Sequence, residues 1–240
     1  MNFLIVDDNS KHAEAACIYI KQIKYCNIIG VANDGNEAIS FLHKQKILPT
    51  CVLLDIEMKK LNGLTTLLYI KTTFPAIKVI IFSSHYETYV INDAFAEGAD
   101  AFIWKYKFKQ YNYLINAIQH IQKNEYYWDE RITDFTKDLL KKALAERKEQ
   151  LTNFRKGFNL SKRQEQVIIL NAARINISEM ATILNISEHT IKNSLYNLNQ
   201  KLNTPFGRNG IFDTSFMYGF LKFPRLKKRS GGGVKAIFIS

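Results

Sequence analysis

The most constraining feature of this sequence is a regular alternation of two apolar patterns through residues 1–125. Short, continuously apolar runs recur there, namely Phe3–Val6, Ile28–Ala32, Cys51–Leu54, Val79–Phe82 and Ala101–Trp104. The segments between them carry apolar residues at helical spacing, as at Ala38, Ile39 and Leu42. Buried strands that alternate with amphipathic helices are typical of a parallel sheet covered on both faces. We therefore expect a doubly wound α/β domain with five parallel strands and five helices.

Polar residues able to carry chemistry follow four of these strands at the point where each strand ends. They are Asp7, Asp8, Asp55, Ser83 and Lys105. Open parallel sheets bind their ligands beyond the carboxyl ends of the strands. Three carboxylates at one edge repel one another unless a cation neutralises them, and ligation by oxygen alone suits Mg²⁺. A nearby lysine and hydroxyl would pair with the oxygens of a phosphoryl group on one carboxylate, so a magnesium-dependent phosphoryl site is predicted.

Residues 1–125 resemble the receiver domain of two-component response regulators, which has a CheY-like, flavodoxin-like fold. The resemblance is carried by four motifs, NFLIVDDNS at 2–10, LLDIEMKKLNGL at 53–64, VIIFSS at 79–84 and GADAFIWK at 98–105. It implies that Asp55 accepts a phosphoryl group and that Lys105 neutralises its charge. It implies Mg²⁺ as the cofactor, with the ligands Asp7, Asp8, Asp55 and the main-chain carbonyl of Glu57. It also implies that Ser83 and Phe102 form a conformational switch.

Two positions depart from the family's pattern. Lys59 stands where a proline is usual after the methionine, and Tyr106 rather than a proline follows Lys105. Both changes are expected to alter loop geometry and the lifetime of the phosphorylated state more than the chemistry. A receiver that had lost phosphorylation would be expected to lack an acidic residue or the lysine, and this chain has both. The alternative is a degenerate receiver used only for dimerisation.

The formal net charge of +11 is concentrated in the last third of the chain. Residues 1–125 hold 13 Lys or Arg against 12 Asp or Glu, residues 126–153 hold 6 against 6, and residues 154–240 hold 14 against 4. A basic segment joined to a nearly neutral one indicates a polyanionic partner. A basic surface that only aids solubility would give the same composition, so the spacing of residues has to decide.

Residues 126–153 contain neither Gly nor Pro and are expected to form a helical linker. Apolar residues recur at helical spacing there, namely Phe135, Leu139, Leu140, Ala143 and Leu144. Both charge signs fill the other positions, so the helix has one apolar face. The aromatic residues Tyr126–Trp128 at its start are expected to dock on a domain.

Residues 154–222 indicate an all-α domain that contains a helix-turn-helix. Ser161, Ser178 and Ser187 are each expected to open a helix, with a break between the last two helices at Asn185–Ile186.

The last of these helices is predicted to have two contrasting faces. Its buried stripe is expected to consist of Ile191, Leu195, Leu198 and Leu202. Steps of about 100° per residue place other side chains on the far side. These are His189, Asn193, Tyr196 and Gln200, flanked by Lys192 and Asn197. Imidazole, amide, phenol and amine groups without an acidic group suit the major groove of DNA, although a solvated polar face is the alternative for such a helix taken alone.

The segments LSKRQEQVI, ISEMATILNIS and SEHTIKNSLYNLNQKL resemble a LuxR-type helix-turn-helix. Over residues 1–222 the chain resembles the NarL/FixJ class of response regulators. In that family the recognition helix contacts bases and phosphates from positions that match Lys192, Asn193 and Tyr196. This sequence departs from the family at Gln164, where a glutamate is usual, and at Arg174, where a turn glycine is usual.

These observations predict a transcription regulator that a sensor histidine kinase phosphorylates on Asp55 and that binds promoter half-sites as a homodimer. The alternative is a DNA-binding regulator that works without phosphorylation. A phosphohydrolase that used the same carboxylates would not need the basic domain, so no enzyme is expected.

Three further features bear on the setting of the protein. Residues 223–240 are basic and Gly-rich and are expected to form a flexible tail that adds nonspecific phosphate contacts. No apolar run is long enough to cross a membrane, and no signal-peptide pattern precedes the first strand. The three cysteines lack metal-binding spacing. A cytoplasmic protein without membrane partners is therefore expected.

Overall fold

The computed structural model describes residues 1–59, 61–105, 111–204 and 207–221, and it begins with an α/β domain. Strands and helices alternate in this domain. They are β1 (Asn2–Val6), α1 (Ser10–Gln22), β2 (Asn27–Ala32), α2 (Gly35–Lys44), β3 (Cys51–Leu54), α3 (Gly63–Thr73), β4 (Lys78–Ser83), α4 (Thr88–Ala96), β5 (Ala101–Trp104) and α5 (Tyr111–Gln122). Each predicted strand is present, and a helix follows each one, so the predicted fold class is confirmed.

The sheet contains six strands among the described residues, in the order β2-β1-β3-β4-β5-β6, and neighbouring strands are parallel. The sixth strand, β6 (Tyr127–Trp128), corrects the predicted count of five and shows that the linker does not begin as a helix. Tyr127 pairs with Ala101 and Trp128 pairs with Phe102. The chain leaving α5 passes the open edge of β5, and its backbone groups satisfy that edge.

Helices cover both faces of the sheet. One face packs on α1 and α5, through residues such as Ile20 and Ala117. The other face packs on α2, α3 and α4, through residues such as Leu42, Leu67 and Phe95. The strand β3 is buried along its whole length, as is β4 after its first residue. Burial on both faces explains why these strands are continuously apolar in sequence.

The linker packs on the α/β domain before it becomes helical. Phe135 stacks on Phe95 of α4 with 5.4 Å between ring centroids, and Trp128 meets Phe95 edge-on at 6.3 Å. Helix α6 (Lys137–Gly157) then begins behind the N-cap Thr136, and its first half packs on α4. The predicted docking of the aromatic segment is thus confirmed, and the linker helix starts about three turns later than its predicted first residue.

Among the described residues, four further helices form the C-terminal domain. They are α7 (Lys162–Ala172), α8 (Ile177–Leu184), α9 (Glu188–Lys201) and α10 (Gly207–Met217). Ser161 and Ser187 are the N-caps of α7 and α9, as predicted. Within the described ranges, none of the helices combines the length and apolar character needed to traverse a bilayer.

The prediction that Ser178 opens a helix is wrong by two residues. Helix α8 begins behind Asn176, whose side chain accepts a hydrogen bond from the main-chain N of Glu179. The main-chain N of Asn176 in turn donates to Glu179 Oε2 at 3.4 Å, and this reciprocal capping box places Ser178 inside the helix. The predicted break is confirmed, because Asn185 ends α8 with a left-handed φ of +51°.

The two domains share one apolar cluster. Leu68 and Tyr69 of α3 belong to the same buried cluster as Val167 of α7 and Ile183 of α8. The contact is extended by Gln166, whose Nε2 donates to Thr73 Oγ1 at 3.1 Å. The α/β domain therefore meets the C-terminal domain on its α7–α8 side.

Candidate functional site

Three carboxylates meet at the carboxyl-terminal edge of the sheet. Asp7 and Asp8 follow β1, and Asp55 follows β3, which is its parallel neighbour. One ligand oxygen from each residue lies within 4.8 Å of the others. Asp7 and Asp55 are buried, whereas Asp8 is partly exposed. The cluster therefore reaches solvent on the side of Asp8.

The ammonium group of Lys105 lies inside this acidic cluster. Its Nζ is 2.6 Å from Asp7 Oδ2 and 3.0 Å from Asp55 Oδ2, and the lysine side chain is 6% exposed. Lys105 reaches this place because it follows β5, and its main-chain N donates to Ser83 O at the end of β4. One ammonium does not balance three carboxylates, and the remaining donors are all oxygens. This donor set fits a hard divalent cation.

Burial raises the pKa of the Asp55 carboxyl from 3.8 to about 6. The positive charge of Lys105 lowers this pKa and the negative charge of Asp7 raises it, but the loss of hydration is the largest effect. At neutral pH the group is therefore mostly ionised, and it is more basic than an ordinary aspartate.

The loop after β4 links the Ser83 hydroxyl to the loop that carries Asp55. Ser83 is fully buried, and its Oγ accepts a hydrogen bond from the main-chain N of His85 at 3.1 Å. Because the oxygen accepts there, the O–H group can still donate. The His85 ring bonds Glu57 Oε2 at 2.9 Å, so the loop after β4 is tied to the loop that carries Asp55. Sequence reasoning did not identify this contact.

Phe102 lies on β5, three residues before Lys105, and is fully buried. It belongs to the core cluster that also contains Val90, Ala94 and Phe95 of α4. The residue expected to act as a switch thus lies in the same apolar layer as the helix that follows the Ser83 loop.

Helix α9 presents a polar face to solvent. Its apolar stripe is buried as predicted, with Ile191, Leu195 and Leu198 in the helix and Leu202 just after it. The side chains expected to contact DNA are all exposed, namely His189, Lys192, Asn193, Tyr196, Asn197 and Gln200. Tyr196 exposes 65% of its surface, which is unusual for a residue with a large apolar ring. The α/β domain reaches this domain through α7 and α8, so the polar face of α9 stays accessible.

The turn before α8 keeps its shape without the glycine that the family would favour. Arg174 adopts φ +57°, a left-handed conformation that costs a residue with a Cβ atom more than it costs glycine. The turn is secured by Arg208 of α10, whose Nε donates to Asn171 Oδ1 at 2.5 Å and whose guanidinium also donates to Ile175 O.

The positive charge of the last third is divided unevenly between the folded domain and the end of the chain. Residues 154–221 hold eight basic residues against four acidic ones, and residues 222–240 hold six basic residues and no acidic one. The predicted tail, 223–240, lies outside the described residues. The described domain therefore carries a net charge of only +4.

A second set of contacts near Lys105 was missed by sequence reasoning. The guanidinium of Arg131 lies over the rings of Trp104 and Tyr113, at 5.3 and 4.0 Å, and donates to Trp104 O at 2.9 Å. Arg131 also pairs with the fully buried carboxylate of Asp129. The linker thereby fixes the residue that precedes Lys105. Asp129 and Arg131 lie in a linker segment of mixed charge, where no periodic pattern distinguishes them.

Comparison with known families agrees with this architecture. Residues 3–119 match the family model of the response regulator receiver domain, and residues 159–206 match the model of bacterial regulatory proteins of the luxR family. The chain belongs to the response regulators that join a receiver domain to a luxR-type helix-turn-helix domain, a family of DNA-binding transcription regulators.

Similar proteins include the response regulator protein VraR of Staphylococcus aureus (strain Mu3), which is 25% identical over 199 residues covering 83% of this chain and 88% of VraR. The isolated receiver domain of RcsB from Salmonella enterica serovar Typhimurium, solved with the phosphomimetic BeF₃⁻, aligns with a TM-score of 0.50 at 22% identity, covering 56% of this chain and 96% of that one. A longer RcsB chain from Salmonella typhimurium aligns with a TM-score of 0.49 at 21% identity, covering 90% and 98%.

Proposed function

We propose that phosphorylation of Asp55 by a sensor histidine kinase controls the DNA binding of this response regulator. The observation that carries the proposal is the buried Asp55 carboxylate in contact with Lys105, inside a cluster of oxygen ligands. A structural ion pair would not need two further carboxylates beside it. The exposed polar face of α9, in the same chain, provides the output that such a site would control.

Each residue of the site has a distinct part in the proposed transfer. An Asp55 oxygen attacks the phosphorus of a phosphohistidine, a P–O bond forms, and the P–N bond breaks with its electron pair left on the imidazole nitrogen. Its pKa of about 6 leaves the carboxylate ionised and nucleophilic at neutral pH. Lys105 Nζ, 3.0 Å from Asp55 Oδ2, pairs with the phosphoryl oxygens. The Ser83 hydroxyl donates to the phosphorylated aspartate.

Magnesium fits the remaining groups. Asp7, Asp8 and Asp55, with the main-chain carbonyl of Glu57, would hold the ion, which supplies positive charge that neutralises the transferring group. Asp8 is oriented by the main-chain N of Lys59, which donates to Asp8 Oδ2 at 3.2 Å. A hydrogen bond from Ser83 to the phosphoryl group would draw its loop inward. The buried ring of Phe102 would follow, because the two belong to adjacent strands.

The C-terminal domain would read DNA through α9. Lys192, Asn193 and Tyr196 are exposed at the centre of its polar face, where they would meet base edges and phosphates. A dimer would bind two half-sites, because pairing doubles the phosphate contacts and fixes the spacing of the readers. We place the protein in the cytoplasm, where it can meet both a sensor kinase and promoter DNA. We assign it no enzymatic role toward a separate substrate.

The test is phosphorylation by acetyl phosphate and Mg²⁺, followed on a phosphate-affinity gel and by mobility shift with duplexes selected from a random pool. We expect wild type to be labelled and its DNA binding to tighten, and Asp55→Asn to show neither change. Asp134→Asn, which alters an exposed linker carboxylate, is the matched control. Equal labelling of Asp55→Asn would reject the assignment. If phosphorylation does not change the DNA binding of wild type, the degenerate-receiver alternative is favoured.

The magnesium assignment has its own measurement. Trp104 precedes Lys105 and lies 3.9 Å from Tyr86 between ring centroids, so its fluorescence should report changes at the site. We expect Asp8→Ala to weaken the magnesium titration strongly, whereas Asp134→Asn should titrate like wild type. An unchanged titration in Asp8→Ala would remove Asp8 from the ligand set.

A further inference from the structure

Arg147 is a charged residue in an apolar position. It lies at the middle of α6, on the stripe that also contains Ala143 and Leu151, and it is only 2% exposed. Buried guanidinium groups are costly unless negative partners surround them. The partners of Arg147 therefore indicate what holds this part of the molecule together.

Those partners come from both domains. One terminal nitrogen of Arg147 donates to Glu97 Oε2 at 2.8 Å and to Phe220 O at 2.7 Å, and the other donates to Gly219 O. Glu97 is the C-cap of α4 in the receiver domain and is 4% exposed. Gly219 and Phe220 follow α10 in the DNA-binding domain. The left-handed φ of Gly219, +71°, turns the chain where the two consecutive carbonyls face one guanidinium.

Arg147 also lies where two packing surfaces of α6 meet. On its N-terminal side, Leu140 is buried in the receiver core. On its C-terminal side, Phe154 stacks on Phe220 with 4.7 Å between ring centroids. If the domains separated, Arg147 would have to lose either the Glu97 carboxylate or the two carbonyls, since the carboxylate belongs to the receiver domain and the carbonyls belong to the DNA-binding domain.

Helix α4 connects this junction to the phosphoacceptor site. It begins at Thr88, just after the loop in which His85 binds Glu57, and it ends next to Glu97. A displacement of the Ser83 loop would therefore move a nine-residue helix whose other end is fixed by Arg147. The polar face of α9 is exposed while the junction is intact, so the junction does not cover the DNA-reading surface.

We propose that Glu97, Arg147 and the main-chain carbonyls of Gly219 and Phe220 form an interdomain latch. The latch fixes the position of the DNA-binding domain relative to the receiver, and phosphorylation opens it through α4. It controls where the exposed reader helix is held, and so whether two readers in a dimer can reach both half-sites. The phosphorylation step of this inference rests on the proposed function, whereas the latch itself can be tested without it.

Hydrogen exchange of the full-length protein measures the latch directly. The amides of Phe220 and Leu221 donate to Ser215 O, and their exchange should report release of the segment that follows α10. Without a phosphoryl donor, Arg147→Met should speed exchange in this segment by at least about tenfold, because a buried Glu97 charge loses its partner. Arg155→Met is the matched control, since the Arg155–Glu165 pair lies within the C-terminal part of the chain.

A milder variant keeps the test usable if Arg147→Met folds poorly. Glu97→Gln retains the shape of the side chain and leaves the two carbonyl bonds of Arg147 in place, so circular dichroism should be unchanged and exchange should rise less. In a double-mutant cycle, Glu97→Gln should not add to the effect of Arg147→Met and should partly reverse it, because it removes the buried charge that Arg147 no longer balances. Effects that simply add, or exchange at wild-type rates in both single variants, would overturn the latch.

The phosphorylation step is read from the same peptides after addition of acetyl phosphate and Mg²⁺. Wild type should then exchange about as fast as Arg147→Met, and the variant should show no further increase. An equal increase in both proteins would show that opening does not depend on the latch and would overturn the coupling. If the gel shows no label on wild type, the proposed function fails. The latch is still tested in that case, by the hydrogen exchange of the variants without a phosphoryl donor.

Discussion

Asp55→Asn should stabilise the protein at neutral pH in the absence of magnesium. The folded-state pKa of about 6, against 3.8 for an ordinary aspartate, means that the folded protein holds a proton which the unfolded chain has released. The contribution of Asp55 to stability is therefore greatest at pH values below its unfolded-state pKa, and it is lost as the pH rises through its folded-state pKa. A difference of about two units corresponds to roughly 3 kcal/mol. Asparagine has nearly the same shape and does not titrate, so the variant avoids this loss.

Urea denaturation at several pH values tests this reasoning. We expect the stability of Asp55→Asn relative to wild type to rise by roughly 2.5 kcal/mol between pH 4 and 7, with most of the change below pH 6. The exposed carboxylate variant Asp134→Asn should show no such trend. A variant less stable than wild type at pH 7 would refute the argument, because the contact of Asp55 with Lys105, 3.0 Å away, would then outweigh the cost of burial.

Three further predictions concern the DNA-binding domain. Leu198→Ala should lower the free energy of unfolding by roughly 2–5 kcal/mol in urea titrations, because the buried side chain leaves a cavity under α9. Arg174→Gly should raise it by up to about 1 kcal/mol, since the positive φ suits glycine; a clear loss would contradict this. Fluorescence anisotropy should show that Lys192→Ala lowers the salt slope of DNA binding by about one unit. In the same assay, Tyr196→Ala should weaken the binding free energy for the preferred sequence by about 1–3 kcal/mol. Wild-type binding by both variants would exclude α9 as the reader.

The parts of the fold that were predictable are those with a strong periodic pattern. Strands such as Cys51–Leu54 are buried on both faces and therefore appear as continuous apolar runs. The apolar stripe of α9 was predictable for the same reason. The strand Tyr127–Trp128 was not, because two residues are too few to establish a period and its pairing depends on the path of the chain after α5. The start of α8 was misplaced because asparagine and serine both cap helices.

The positions of the candidate site residues were predictable from strand ends, because the sheet topology brings those ends together. The supporting contacts were not. His85 reaches Glu57 across two loops whose spacing in sequence does not indicate proximity. Arg147 could have been noticed as a charge inside an apolar stripe, but its partners lie 50 and 73 residues away in sequence. Such pairings depend on how the two domains pack.

The short strand β6 also limits how this protein can associate with itself. An uncovered β5 would offer a row of free backbone groups at which a strand from another molecule could add. Tyr127 and Trp128 occupy those groups, and the chain then turns away with Arg131 over Trp104. The new outer edge is two residues long, too short to template another strand. On this side of the sheet, protection against aggregation is therefore supplied by the linker itself, and truncation of the chain before residue 127 should remove it.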